Sequence, residues 1–170
     1  MNSKAYYHSP IGWVEIQTSH DAVVSVVFCD EPKNDVCNGS PILEQCVRQL
    51  DEYFNGRRTD FDIPVDQKGT LFQQSVWNVL PDIPFGTTVS YADIAKKLNA
   101  PKSARAVGAA NGQNRVWIII PCHRVIGANG SLTGYAGGLE RKKWLLDHEA
   151  QVVKKFNIRT SNFKTSNPKY

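Results

Sequence analysis

SYADIAKKLNAPKSARAVGAANG, Ser90–Gly112, reads as two short helices across a brief turn. Ser90 can cap the first helix, and Asp93 three residues later completes an approximate capping box. Tyr91, Ile94, Ala95 and Leu98 then share one face. Asn99–Pro101 makes the turn, and Gly112 ends the second helix. This is a helix-turn-helix. Its second helix is bare: Arg105 stands among Ala104, Ala106, Gly108, Ala109, Ala110 and Gly112. Low relief allows close approach to another helix, which accounts for Val107 and Gly108. It equally suits a narrow groove of DNA, where arginine is the favoured insertion. Helix packing does not account for a second face that is bare except for one cation, and a groove suits it.

Downstream, VWIIIPCHRVIG (Val116–Gly127) begins with a branched apolar run that predicts a buried strand. Pro121 cannot donate to a ladder, so the strand should stop there and leave Cys122 at the end of a rigid element. A thiol becomes a thiolate near neutral pH with help from an imidazole or a cation, and His123 and Arg124 adjoin it. A buried structural cysteine is the competing reading. A glycine-rich turn (Gly134–Gly138) then leads into a helix expected over about Leu139–Ala150. Glu149 lies four residues after Leu145, beside the apolar stripe. At the expected C-terminus of that helix a carboxylate opposes the dipole. A residue that breaks a local rule is a candidate for function, and a solvent-exposed glutamate near a frayed helix end is the competing reading.

Upstream, WVEIQT (Trp13–Thr18) and AVVSVVF (Ala22–Phe28), separated by Ser-His-Asp, predict an antiparallel hairpin. Pro41–Phe54 places Leu43, Cys46, Val47, Leu50 and Phe54 on the stripe of an amphipathic helix closed by Gly56. Thr59–Val65 is a further strand candidate. These elements form a small α/β lobe in which no chemistry is evident. Asp66–Gly69 is the expected linker, followed by a helix capped by Thr70 and stopped by Pro81. The expected organisation is residues 1–66, residues 67–152 and a polar, loosely attached tail at 153–170.

With 170 residues, 41% hydrophobic and 21% charged, the composition is that of a soluble globular protein of one or two lobes. The longest purely apolar run, Val116–Ile120, is too short to span a membrane. No secretory signal is visible, so Cys29, Cys37, Cys46 and Cys122 are expected to stay reduced in the cytoplasm, or in the nucleus of a eukaryotic source. Cys29, Cys37, His8 and His20 fit no standard zinc spacing, and no metal is expected. The net charge of +4 is uneven. Residues 1–62 carry 5 Lys+Arg against 10 Asp+Glu, net −5, and residues 63–170 carry 15 against 6, net +9. A basic half joined to an acidic one points to a polyanionic partner.

The succession SYADIAKKLNAPKSARAVGAANGQN, PCHRVIG and GYAGGLERKKWLLDHE resembles, in order and spacing, the C-terminal domain of the O6-alkylguanine-DNA alkyltransferases. The likeness covers about Gly69–Ala150 and is closest to bacterial-type members. The N-terminal lobe resembles that family's ribonuclease-H-like domain more loosely. The resemblance implies an α+β fold, with a small α/β lobe and a mostly helical domain carrying the helix-turn-helix. It also implies a monomer that binds double-stranded DNA in the minor groove, flips out the alkylated base and takes the alkyl group irreversibly, once per molecule, with no cofactor. O4-alkylthymine is a second substrate class within its scope.

By position, Cys122 would be the nucleophile. His123 would be its base through a water, oriented by Glu149, and Asn114 the hinge before the active-site strand. Tyr91 would hydrogen-bond the target base and push the phosphate that rotates it. Arg105 would fill the gap in the stack, on a helix whose Ala106 and Gly108 face DNA, with Arg124 counted among the DNA contacts. Val125 would offer its carbonyl to the guanine amino group, and Tyr135 and Ala136 would lie near the leaving oxygen. Two positions depart from the pattern. Ala136 stands where some members have serine. Trp117 replaces a small residue or proline on the expected wall of the alkyl pocket. The competing functions are non-enzymatic recognition of alkylated DNA, which Cys122 opposes because those relatives carry tryptophan there, and a Cys-His thiol hydrolase.

Overall fold

The computed structural model describes residues 2–36 and 39–165, with side chains described up to 157. Three strands, β1 (Asn2–Ser9), β2 (Gly12–Ser19) and β3 (Ala22–Cys29), form an antiparallel meander in the order β1-β2-β3. The expected hairpin is β2–β3. β1 is an addition: NSKAYYHS has no clean alternation, because an edge strand needs little burial to be held by its neighbour's ladder. Val14, Ile16, Val23 and Val26 turn inward from β2 and β3. Helix α1 (Pro41–Phe54) covers them with Leu43, Cys46, Leu50, Tyr53 and Phe54. Ser40 caps α1, Pro41 opens it, and Gly56, at φ 70°, turns the chain away.

β3 organises the rest of the molecule. Val23 N–H donates to Pro64 O (2.8 Å) and its carbonyl accepts from Asp66 N–H (2.9 Å). Val26 does the same with Arg115 O (2.8 Å) and Trp117 N–H (2.9 Å). Each contact is a single parallel bridge, Val23 to Val65 and Val26 to Val116. Two predicted strands are therefore corrected. Thr59–Val65 does not form a ladder, since Pro64 has no N–H to extend one. Val116–Ile120 folds into a tight turn with Ile118 at φ 72°, closed by Ile119 N–H to Trp117 O (2.8 Å) and Ile120 N–H to Val116 O (3.0 Å). An unbroken apolar run signals burial but cannot tell a strand from a buried turn.

The helical lobe follows its sequence signals closely. α2 (Leu71–Val79) begins with a Thr70–Gln73 capping box, and α3 (Tyr91–Lys97) with a Ser90–Asp93 box. Asn99, at φ 57°, turns the chain towards α4 (Ala104–Gly112). Trp77 of α2 donates its indole N–H to Ala110 O (2.8 Å), fixing α2 against α4. β4 (Val89–Ser90), immediately before α3, pairs in parallel with β5 (Val125–Ile126). α5 runs Leu139–Thr165, well past the expected Ala150. The predicted loose tail is thus helical through Thr165, and its last five residues lie outside those described. Glu149 stands in mid-helix, so a clash with the helix dipole does not explain it.

Candidate active site

Cys122 opens a single 3-10 turn, Cys122–Arg124, immediately after the tight turn that docks on β3. The backbone around Cys122 is held from two sides. Asn111 of α4 donates Nδ2–H to Cys122 O (3.2 Å). Asn114, 1% exposed, takes Val116 N–H on Oδ1 (3.0 Å) and gives Nδ2–H to Ile120 O (3.0 Å). Gln67, from the expected linker, donates to the same Oδ1 (3.0 Å) and accepts from Arg115 N–H. Asn114 is thus the staple of the turn that aims the thiol, and it sets that turn in place of the predicted strand. Burial pushes the Cys122 thiol up to about 11, against the opposing pull of Asn114, the Lys142 charge and nearby backbone N–H groups. Cys122 is therefore a thiol, and a base is needed to deprotonate it.

An imidazole adjoins it in the chain. His123 is fully buried, and burial holds its imidazole below the ordinary value despite the neighbouring carboxylate. Its Nε2 lies 2.7 Å from Glu149 Oε1. Burial alone would raise the Glu149 carboxyl, but His123 and Arg124 outweigh it and hold it well below the usual range. Glu149 is therefore ionised and can only accept, so His123 carries its proton on Nε2. Nδ1 keeps a free lone pair and has no hydrogen-bond partner among the described residues. A neutral imidazole with one nitrogen anchored and the other bare is the arrangement of a general base.

The structure corrects the placement of Arg124. It is 5% exposed and turned inward. Its Nε and Nη2 donate to Glu149 (3.0 Å each) and its Nη1 to Ile83 O (2.8 Å). It serves the carboxylate. Gly86 N–H donates to Glu149 Oε2 (3.2 Å). Only glycine suits that position: φ is 77°, and a Cβ would lie 2.5 Å from Val153 Cγ2 of α5.

Two further groups escaped the sequence reading. Lys142, fully buried, donates Nζ–H to Val125 O (2.7 Å) and Thr133 O (2.9 Å). It hides in the run Glu140–Lys143, which looks solvated, yet it lies three residues before Leu145 as Glu149 lies four after. The stripe that exposed Glu149 could have found it. Tyr53 of α1 donates its hydroxyl to Glu149 Oε1 (2.8 Å), so the N-terminal lobe, in which no chemistry was evident, reaches the site. No local sequence signal marks a contact across 96 residues.

The remaining candidates lie on α3, on α4, in the turn before Cys122 and in the loop before α5. Tyr91 donates its hydroxyl to Thr133 O (3.1 Å). Tyr135 is buried, with its hydroxyl unpartnered among the described residues, and Ala136 beside it is exposed. Trp117 donates its indole N–H to Asn114 O (2.7 Å) and packs between Phe28 of β3 and Tyr135, at 5.8 Å from each ring. Arg105, Ala106, Ala109 and Gly112 form the exposed face of α4, and Val107, Ala110 and Asn111 its buried one. A Cβ on Gly108 would meet Tyr91 only at an ordinary 3.7 Å, and one on Gly112 would meet nothing. Internal packing therefore does not require the bareness of this helix. Among the described residues no three metal-ligating side chains come together, and Cys37 lies outside them.

Comparison with known proteins agrees with this architecture. Residues 2–67 match the 6-O-methylguanine DNA methyltransferase ribonuclease-like domain, and residues 71–151 the DNA binding domain of the same family. The chain belongs to the 6-O-methylguanine DNA methyltransferase family. By that membership it is a methyltransferase of DNA repair with a DNA-binding domain. A methylated-DNA--protein-cysteine methyltransferase of Methanosarcina acetivorans is 43% identical over 150 residues, covering 85% of this chain and 96% of that one. The crystal structure of the Mycobacterium tuberculosis O6-methylguanine methyltransferase superposes with a TM-score of 0.80 at 41% identity, over 89% of this chain and 94% of that one. A structure of the Mycobacterium tuberculosis protein in complex with DNA gives a TM-score of 0.78 at 43% identity, over 86% and 92%.

Proposed function

We propose that this chain repairs O6-alkylguanine in double-stranded DNA by moving the alkyl group to Cys122. The observation that carries this reading is the bare Nδ1 of a neutral His123, adjacent in the chain to Cys122 and anchored through Nε2 to the ionised Glu149. The exposed face of α4 enters the minor groove. Tyr91 supports rotation of the base out of the stack, and Arg105 fills the gap. Val125 O, already holding one Lys142 N–H, has a second lone pair for the guanine amino group. Tyr135 and Ala136 flank the leaving oxygen.

His123 accepts the thiol proton through a water. The sulfur attacks the alkyl carbon, the carbon–O6 bond breaks with its electron pair passing to O6, and the purine regains a proton. The thioether formed has no easy leaving group, so each monomer acts once and no cofactor takes part. Cys122→Ser tests the assignment. Transfer from methylated duplex should vanish while binding, which rests on α4, survives. Measurable methyl transfer by this variant would exclude Cys122 as the acceptor.

A further inference from the structure

The Glu149 carboxylate receives more donors than it has good places for. Oε1 takes Tyr53 Oη–H (2.8 Å), His123 Nε2–H (2.7 Å) and Arg124 Nη2–H (3.0 Å). Oε2 takes Arg124 Nε–H (3.0 Å) and Gly86 N–H (3.2 Å). A carboxylate offers about four lone-pair sites. Tyr53 and His123 therefore compete for one oxygen, inside a region where both tyrosine and carboxylate are fully buried. Buried hydrogen bonds of this kind polarise one another.

The phenol is also aimed with care. Its ring is enclosed by Phe54, Phe61, Phe85 and His148, with centroids 5.3–6.1 Å away, drawn from both lobes. His148 Nε2 lies 2.8 Å from Tyr53 O. A hydroxyl held this firmly cannot drift off the carboxylate. Burial keeps it protonated, so it is always a donor.

We propose that Tyr53 is a positioning residue for alkyl transfer, its hydroxyl setting how strongly Glu149 holds His123 and so how readily His123 takes the Cys122 proton. This rests on the reading of His123 as the base. The charged groups acting on His123 are Glu149, Arg124 and Lys142, and Tyr53 acts through the first of them. Removing the hydroxyl leaves Oε1 more negative towards His123, which favours the imidazolium. A stronger donor at the same place does the opposite. A merely structural tyrosine, pinning one lobe to the other, would move neither.

The test compares single-turnover methyl transfer from O6-methylguanine duplex across pH for the wild type, Tyr53→Phe and a protein with 3-fluorotyrosine at position 53. Tyr53→Phe should shift the acid limb of the rate profile upward by roughly half a pH unit, about threefold in rate on that limb. The fluorinated phenol, a stronger donor of nearly the same size, should shift it downward. If Tyr53→Phe does not fold, as thermal unfolding would show, the fluorinated protein decides alone. Limbs that coincide with the wild type overturn the role of Tyr53. A wild type that transfers methyl to Cys122 without any acid limb overturns the reading of His123 itself.

Discussion

His123 and Glu149 are each one residue in a buried centre, and their ionisation ties stability to pH with a definite sign. Both have folded-state values held below their ordinary ones, 6.5 and 4.5. Groups shifted in that direction contribute stability that is complete above the unfolded value and lost as pH falls towards the folded one. We expect unfolding midpoints in urea to be flat around neutrality, to fall below about pH 6.5 as unfolded His123 takes up protons, and to fall again below about 4.5 through Glu149. His123→Gln should remove the first decline and leave the second. A midpoint that rises on acidification from pH 7 to 5 would contradict the neutral, buried imidazole. Trp117 makes a different residue-scale claim. Its indole is locked by Asn114 O and wedged between Phe28 and Tyr135. In the proposed alkyl pocket it would narrow the side where a bulky adduct needs room, and overfilling costs about 1–3 kcal/mol. Trp117→Ala should raise the rate with O6-benzylguanine relative to O6-methylguanine, at a stability cost of about 3–5 kcal/mol. An unchanged ratio would remove Trp117 from the pocket.

Among the elements, α4 shows how a helix can be built for an external partner. Its inward residues Val107, Ala110 and Asn111 complete the lobe, and its outward face carries Arg105 on small side chains. Arg105→Ala should leave thermal stability within about 0.5 kcal/mol, slow repair in duplex DNA severely and barely affect reaction with the free alkylated base. Equal losses on both substrates would make Arg105 structural. The helices were legible because each announces its start and end: Ser40 with Pro41, Thr70 with Gln73, Ser90 with Asp93. The turn at Val116–Ile120 was not, because hydrophobicity reports burial and the left-handed Ile118 is imposed by Asn114 and the edge of β3. Cys122, His123 and Glu149 could be nominated from local patterns and the family resemblance. Arg124 was turned the wrong way, since its partner lies 25 residues on. Lys142 was hidden by neighbouring surface cations.

At the scale of the whole molecule, the N-terminal lobe contacts the candidate site. Val26 on the edge of β3 holds the segment leading to Cys122 from both sides, and Tyr53 of α1 reaches Glu149. Neither link could be read from sequence, because each joins residues about 90 or more positions apart. A fragment of residues 67–170 should therefore lose methyl transfer even where circular dichroism shows its helices intact, and transfer at the full-length rate would refute this dependence. In the proposed function one cysteine takes one alkyl group from DNA and keeps it. The most direct measurement is the intact mass of the protein after incubation with excess O6-methylguanine duplex, followed by peptide mapping. A gain of one methyl group per chain, located on Cys122, is expected, with no further turnover when fresh duplex is added. An unchanged mass, a methyl group elsewhere, or repeated turnover would contradict it.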